Sequence, residues 1–101
     1  MTRTRGKVAV VTGAASGIGQ ELSLGLARRG CRLALADVDQ DGLDRVRQQV
    51  EALGVEAVAH RVDVRDRDAV RRLAQDVSGH YGEVHQLYNN AGVTTGGTTL
   101  L

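Results

Sequence analysis

The sequence has no proline, tryptophan or phenylalanine, and its only aromatic residues are Tyr81 and Tyr88. So few rings exclude the stacking platforms with which proteins bind single-stranded nucleic acid. Cys31 is the only cysteine, so no disulfide forms within the chain. Because Cys31 begins an apolar run, we expect it to be a buried small side chain rather than a reactive thiol.

An excess of charge of one sign and a long hydrophobic segment are also missing. Thirteen basic residues stand against twelve acidic ones, a formal net charge of +1, which favours neither nucleic acid nor a membrane surface as partner. The apolar stretch 8–11 is too short for a signal peptide, and no segment is long enough to cross a bilayer. We therefore expect a cytoplasmic protein of 101 residues with one small domain.

The sequence does contain short apolar runs that alternate with amphipathic segments. Four strands are predicted, at Val8–Thr12, Leu33–Asp37, Ala57–Asp63 and Val84–Tyr88. The first two are almost continuously apolar, which is typical of strands buried on both faces of a parallel sheet. The order β-α-β-α-β-α-β predicts right-handed crossovers and half of a doubly wound α/β fold.

Three helices are predicted between these strands, because apolar side chains recur on one face of each segment. The inward positions are expected at Ile18, Leu22, Gly25 and Leu26, then at Leu43, Val46, Val50 and Leu53, and then at Val70, Leu73, Ala74 and Val77. Asp39 and Asp66 are predicted N-caps. Gly54 is placed to end the second helix, and either Gly79 or Gly82 ends the third.

Three glycines follow the first strand in "VVTGAASGIG", residues 10–19. A turn that admits a phosphate at the end of a strand needs outward N–H groups and no obstructing side chains. Gly13 is expected to allow a sharp exit from the strand, Gly17 the approach of a diphosphate, and Gly19 close packing of the helix on the sheet. A glycine-rich turn without a ligand is the alternative. Gln20 stands where a Walker loop needs lysine, so triphosphate hydrolysis is not expected.

Asp37 ends the second predicted strand, eighteen residues after Gly19. A carboxylate there can accept hydrogen bonds from both hydroxyls of an adenosine ribose, and it would repel a 2′-phosphate. Because the glycine loop also has no basic residue, NAD is expected in preference to NADP. The alternative for Asp37 is a cap on a turn, since Asp39 and Asp41 crowd the same region.

The segment "TGAASGIG" (12–19) resembles the cofactor loop of the short-chain dehydrogenase/reductase family, and "DVRD" (63–66) and "NNAG" (89–92) resemble two further motifs of that family. The resemblance runs from Lys7 to about Val93 and implies a Rossmann-type sheet with strand order 3-2-1-4. It also implies a set of cofactor-binding residues. These are Gly13, Ser16, Gly17, Ile18 (through its backbone) and Gly19 at the pyrophosphate, Asp37 at the adenine ribose, Asp63 and the backbone of Val64 at adenine, and Asn90, Ala91 and Gly92 along the cleft.

The sequence departs from this family in two ways. An aspartate is usual where this chain has His85, and His85 with Gln86 makes the fourth strand more polar than a central strand should be. Family members also use a serine and a tyrosine, with a lysine four residues after the tyrosine. Lys7 is the only lysine, and neither tyrosine has such a partner. We therefore assign no catalytic residue, and no His/Cys/Asp cluster has metal-ligand spacing.

Two functions are compatible with these observations. The first is an NAD-dependent oxidoreductase that transfers hydride to or from a small alcohol or carbonyl substrate. Residues 1–101 would then form its incomplete NAD-binding domain, truncated before the catalytic half and inactive alone. The alternative is a non-catalytic NAD-binding module that acts with a partner chain. In either case the fourth strand is expected to be an exposed edge through which the chain self-associates.

Overall fold

The computed structural model describes residues 6–82 and 84–90. Within them, strands and helices alternate as strand β1 (Val8–Thr12), helix α1 (Gly17–Arg28), β2 (Arg32–Asp37), α2 (Gln40–Glu51), β3 (Ala57–Arg61), α3 (Arg67–Tyr81) and β4 (Gln86–Asn89). All strand pairs are parallel, and the order across the sheet is β3-β2-β1-β4. The predicted α/β class and the strand order implied by the family resemblance are therefore confirmed.

The continuous apolar pattern of β1 and β2 is explained by helices on both faces of the sheet. Alternate side chains of a strand point to opposite faces. Ala9, Val11, Leu33 and Leu35 pack with Leu26, Leu43, Val46 and Val50 under α1 and α2. Val8, Val10, Ala34 and Ala36 pack with Leu73, Val77 and Tyr81 under α3. Every residue of β1 is buried, so this strand is the centre of the core.

The predicted helix caps are confirmed. The carboxylate of Asp39 accepts a hydrogen bond from the N–H of Gly42 at the start of α2, and Asp66 accepts two at the start of α3. Of the two glycines considered for the end of α3, Gly82 is the C-cap, with a left-handed φ of 88°. Gly54 has a φ of +89° in the turn just beyond α2.

Three residues predicted to face the core do not. Ile18 is 73% exposed, because the first turn of α1 extends past the end of the sheet. Leu53 is 44% exposed, because α2 ends at Glu51 and the helical periodicity stops there. Ala74 is exposed because it lies on the flank of α3, beside an open groove over β4.

The two outer strands are shorter than predicted at one end each. β3 ends at Arg61 because the chain turns at Asp63. The carboxylate of Asp63 stabilises this turn by accepting the backbone N–H of Arg65. β4 begins only at Gln86. Just before it, the backbone N–H of Val8 donates to Nδ1 of the His85 side chain at 2.9 Å, where a longer strand would offer a backbone carbonyl oxygen. Of the two polar side chains that were expected in this strand, that of His85 therefore has a hydrogen-bond partner. Oε1 of Gln86, in contrast, is buried without a hydrogen-bond partner among the described residues.

Candidate functional site

A pocket of about 510 Å³ opens at the carboxyl edge of the sheet, where the glycine loop and the turns after β2 and β3 meet. This is the edge at which open α/β sheets bind ligands. Its lining residues are Gly13, Ser16, Ile18, Asp37, Val38, Val62, Asp63, Val64, Arg65 and Asn90. The structure thus brings most of the predicted site residues together in one pocket.

The remaining predicted residues fall into two groups. Gly17 and Gly19 belong to the same loop and first helical turn but do not line the pocket. Ala91 and Gly92 lie outside the described residues. Sequence reasoning also missed three lining residues, Val38, Val62 and Arg65, which are neighbours in sequence of predicted ones. Position next to Asp37 or Asp63 at a strand end is the signal that would have found them.

The glycine loop is folded tightly around the carbonyl oxygen of Gly13. Gly13 itself has a φ of 65°, which permits the sharp exit from β1. Its oxygen accepts hydrogen bonds from the backbone N–H and the hydroxyl of Ser16, at 3.1 and 2.7 Å. A Cβ on Gly19 would lie only 1.9 Å from the same oxygen. Gly19 therefore allows α1 to approach the loop backbone, rather than the sheet itself as the sequence interpretation supposed.

The N-terminus of α1 differs from those of the other two helices. The first turn of α1 has no acidic side chain, whereas α2 has Asp41 and α3 has Asp68 in that position. The Ser16 hydroxyl caps the helix by accepting the N–H of Gly19 at 3.0 Å. Free N–H groups and the helix dipole make such a terminus favourable for an anion. No carboxylate of the first turn competes for that position in α1.

Asp37 connects two loops of the pocket. One carboxylate oxygen, Oδ2, accepts the backbone N–H of Ala15 at 3.0 Å, and Oδ1 accepts that of Asp39 at 3.1 Å. The interpretation of Asp37 as a turn cap is therefore correct. It does not exclude ligand binding, because each oxygen of a carboxylate can accept two hydrogen bonds. The two contacts hold this half-buried carboxylate in one orientation at the pocket wall.

A polar network fixes the end of β4 against the glycine loop. The hydroxyl of Thr12 donates to Oδ1 of Asn89 at 2.9 Å and accepts the backbone N–H of Asn90 at 3.0 Å. The amide of Asn90 then donates to the hydroxyl of Ser16 at 3.1 Å. The glycine loop, the end of β4 and the cap of α1 are therefore linked by hydrogen bonds.

Asp63 and Arg65 form an ion pair at the opposite end of the pocket. Nε and Nη2 of Arg65 donate to the two oxygens of Asp63 at 3.1 and 3.0 Å. These side-chain hydrogen bonds, with the backbone N–H of Arg65, lower the pKa of Asp63 below its ordinary value of 3.8. The carboxylate is therefore ionised at neutral pH.

The comparisons with known proteins agree with this geometry. The model of the family described as short chain dehydrogenase matches residues 7–100. The chain belongs to this family. It is 48% identical over 97 residues to SadH of Mycobacterium tuberculosis, a protein named as an oxidoreductase. The matched region covers 96% of this chain and 35% of SadH. The chain thus spans about a third of the length of this curated relative.

Two solved structures that are similar to this chain contain NAD. A short-chain dehydrogenase/reductase from Burkholderia phymatum in complex with NAD matches with a TM-score of 0.86 and 43% identity, over 96% of this chain and 34% of that one. NAD⁺-bound xylitol dehydrogenase matches with a TM-score of 0.86 and 36% identity, over 91% and 35%.

The two tyrosines of the chain lie in or beside the core rather than in the pocket. The hydroxyl of Tyr81 donates to the carbonyl oxygen of Leu33 at 2.9 Å, under α3. Burial raises the pKa of Tyr81 to about 12, which makes it a poor proton acceptor at neutral pH. Tyr88 packs beside the core under α1 and α2. Neither tyrosine lines the pocket.

Residues 6–82 and 84–90 hold neither a metal-binding cluster nor a membrane-spanning helix. They contain no group of three or more His, Cys, Asp or Glu side chains arranged to hold a metal ion. They also contain no helix long and apolar enough to span a membrane.

Proposed function

We propose that this chain binds NAD along the carboxyl edge of its sheet. In the proposed pose the pyrophosphate lies on the glycine loop and the N-terminus of α1. The adenine ribose lies against Asp37, and the base lies beside Asp63 and Val64. We call the part of the pocket around Asp37 and Asp63 the adenine end, and the part around the glycine loop the phosphate end.

The observation that carries the proposal is the pairing of opposite electrostatic features across one pocket. The phosphate end has a helix N-terminus without an acidic first turn, which favours an anion. The adenine end has two carboxylates, which favour hydroxyl and amino donors. A dinucleotide has its anionic group in the middle and such donors on its adenosine half. Phosphate or adenosine alone would use only one end of the pocket.

The same geometry supports a preference for NAD over NADP. Asp37 is held from two sides, by the N–H groups of Ala15 and Asp39. It therefore cannot swing aside to make room for a 2′-phosphate without losing both bonds. A phosphate placed on the ribose would meet a fixed negative charge.

The complete reaction would be hydride transfer between the nicotinamide and an alcohol or carbonyl compound, as expected for an oxidoreductase of this family. The residues of this chain would bind and orient the dinucleotide, whose nicotinamide ring supplies the hydride chemistry. We infer that the chain alone is inactive and forms an incomplete domain, since its sequence contains no Tyr-x-x-x-Lys segment. The same absence favours the second candidate, an NAD-binding module that acts with a partner chain.

The test is thermal unfolding of the full chain with and without NAD⁺, with NADP⁺ as the comparison. A ligand that binds only the folded state adds about 2.7 kcal/mol at 100 times its Kd. We expect NAD⁺ to raise the melting temperature and NADP⁺ to raise it less. A cooperative transition that neither dinucleotide shifts would refute the proposal.

Two parts of the proposal concern the chain in solution. We infer a cytoplasmic location, and we infer self-association through β4, which lies at one edge of the described sheet. Beside β4 is an apolar groove of about 280 Å³, whose walls include Val10, Val70 and Leu87. Sedimentation at increasing protein concentration tests the second inference. A monomer at all concentrations would contradict it.

A further inference from the structure

Arg65 lines the adenine end of the pocket, where its side chain pairs with Asp63. Its side chain is 88% exposed, and that of its partner Asp63 is 44% exposed. Ion pairs as exposed as this one add little to folding stability. The pair therefore has little structural value, although its geometry is two-pronged and specific.

The hydrogen bonds of Asp63 leave little of its carboxylate for a ligand. The two oxygens offer four acceptor positions in all. Oδ1 accepts the backbone N–H of Arg65 at 3.0 Å and Nε of Arg65 at 3.1 Å, so both of its positions are used. Oδ2 accepts Nη2 at 3.0 Å. With respect to the described part of the chain, one acceptor position remains, and it is on Oδ2.

We propose that Arg65 is a positioning residue that fixes Asp63 so that the pocket selects a purine with an exocyclic amino group. This inference rests on the proposed function, because it places the base of bound NAD beside Asp63. An amino group donates to the remaining position on Oδ2. A purine that carries an oxo group in place of the amino group presents an acceptor to the ionised carboxylate, and the two oxygens repel each other. Without Arg65 the carboxylate of Asp63 can rotate and form hydrogen bonds with water instead. The preference for the amino purine over the oxo purine then falls.

The test compares two dinucleotides that differ at this one position. Isothermal titration of the full chain gives the Kd for NAD⁺ and for nicotinamide hypoxanthine dinucleotide, in which the amino group of adenine is replaced by an oxo group. We expect the unaltered chain to prefer NAD⁺ by about tenfold or more, the range of one hydrogen bond to a charged group. Arg65→Ala should reduce the ratio to near one. Arg65→Lys keeps the charge without the two-pronged geometry and should give an intermediate ratio.

Arg71→Ala is the matched control. Arg71 is an exposed arginine that faces Asp68 on α3, at 4.0 Å, and it does not line the pocket. Its removal should leave the ratio unchanged. Equal weakening of both dinucleotides in Arg65→Ala would mean that Arg65 contributes only charge, and unchanged Kd values for both dinucleotides would mean that it contributes nothing. Either result overturns the inference while the proposed function stands. If the unaltered chain binds neither dinucleotide, the proposed function fails and the inference with it.

Discussion

The phosphate end and the adenine end of the pocket are built in different ways. The phosphate end consists of backbone held by the fold: Gly13 and Gly19 are buried, and their contacts also form the turn from β1 into α1. The adenine end includes charged side chains at strand ends, where the side chain of Arg65 is exposed and that of Asp63 is partly exposed. Changes at the phosphate end should therefore alter folding and binding together, whereas changes at Asp63 and Arg65 should alter binding with little effect on folding.

The largest effect is expected for Gly19→Val. A Cβ at this position would lie 1.9 Å from the carbonyl oxygen of Gly13 and 2.9 Å from Cα of Ala14, and both are backbone atoms that cannot move aside easily. We expect a loss of about 3 kcal/mol in the free energy of unfolding, with loss of NAD binding. Chemical denaturation measures the first effect.

Gly25→Ala is the control for this substitution. Gly25 also lies in α1, and a Cβ there meets no atom within 4 Å. Alanine is the better helix former, so this variant should be as stable as the unaltered chain or slightly more so. A Gly19→Val protein with the same midpoint would show that the loop is less tightly packed than described.

Asp37→Ala should weaken binding more than folding, although the N–H groups of Ala15 and Asp39 also lose their acceptor. The change removes the acceptor for both ribose hydroxyls, so we expect NAD⁺ to bind about a hundredfold more weakly. NADP⁺ should lose less, because the negative charge that faces its 2′-phosphate is gone. Titration of both dinucleotides gives the two ratios. If NAD⁺ and NADP⁺ weaken in the same proportion, Asp37 does not select the cofactor.

Gly17→Ala sharpens the comparison within the phosphate end. Unlike Gly19, Gly17 is exposed, and a Cβ there meets nothing within 4 Å, so stability should not fall. In the proposed pose the added methyl group would stand in the path of the diphosphate, and we expect binding to weaken about tenfold, or ~1.4 kcal/mol. Unfolding and titration are measured on the same sample. Undiminished NAD⁺ binding would place the diphosphate elsewhere.

The smallest effect concerns the pH dependence of the adenine end. Because the hydrogen bonds from Arg65 lower the pKa of Asp63, the pair stabilises the folded state above the ordinary carboxyl pKa of 3.8. This contribution is lost as the pH falls through the lowered folded pKa. NMR titration of the Asp63 carboxyl carbon should show its midpoint rising toward 3.8 in Arg65→Ala. An identical midpoint in both proteins would mean that the pair does not persist in solution.

The sequence was sufficient for those features that depend on local pattern. The strands β1 and β2 follow from continuous apolar runs, and the caps at Asp39 and Asp66 follow from polar residues before amphipathic segments. Strand order came from the family resemblance, since pairing between distant segments leaves no periodic signal. Gly13 could be placed because a tight turn after a buried strand requires a residue that tolerates positive φ.

Other features depend on where each helix and strand ends in the three-dimensional structure. Ile18 and Leu53 fit the helical periodicity but lie beyond the supporting sheet or helix, so their exposure could not be inferred from spacing. The bond from Ala15 to Asp37 and that from Val8 to His85 join residues far apart in sequence. Val38 and Arg65 joined the pocket through turns whose direction the sequence does not specify.

The central claim is that a dinucleotide binds along the carboxyl edge of the sheet, with its phosphates at the glycine loop. The most direct measurement is a titration of the ¹⁵N-labelled full chain with NAD⁺, followed by backbone amide NMR shifts. We predict saturable shifts at residues 13–19, 37–38, 63–65 and 90, and none in the turn at Gly54 on the opposite edge. Shifts spread over the surface without saturation, or confined to the groove beside β4, would contradict the account.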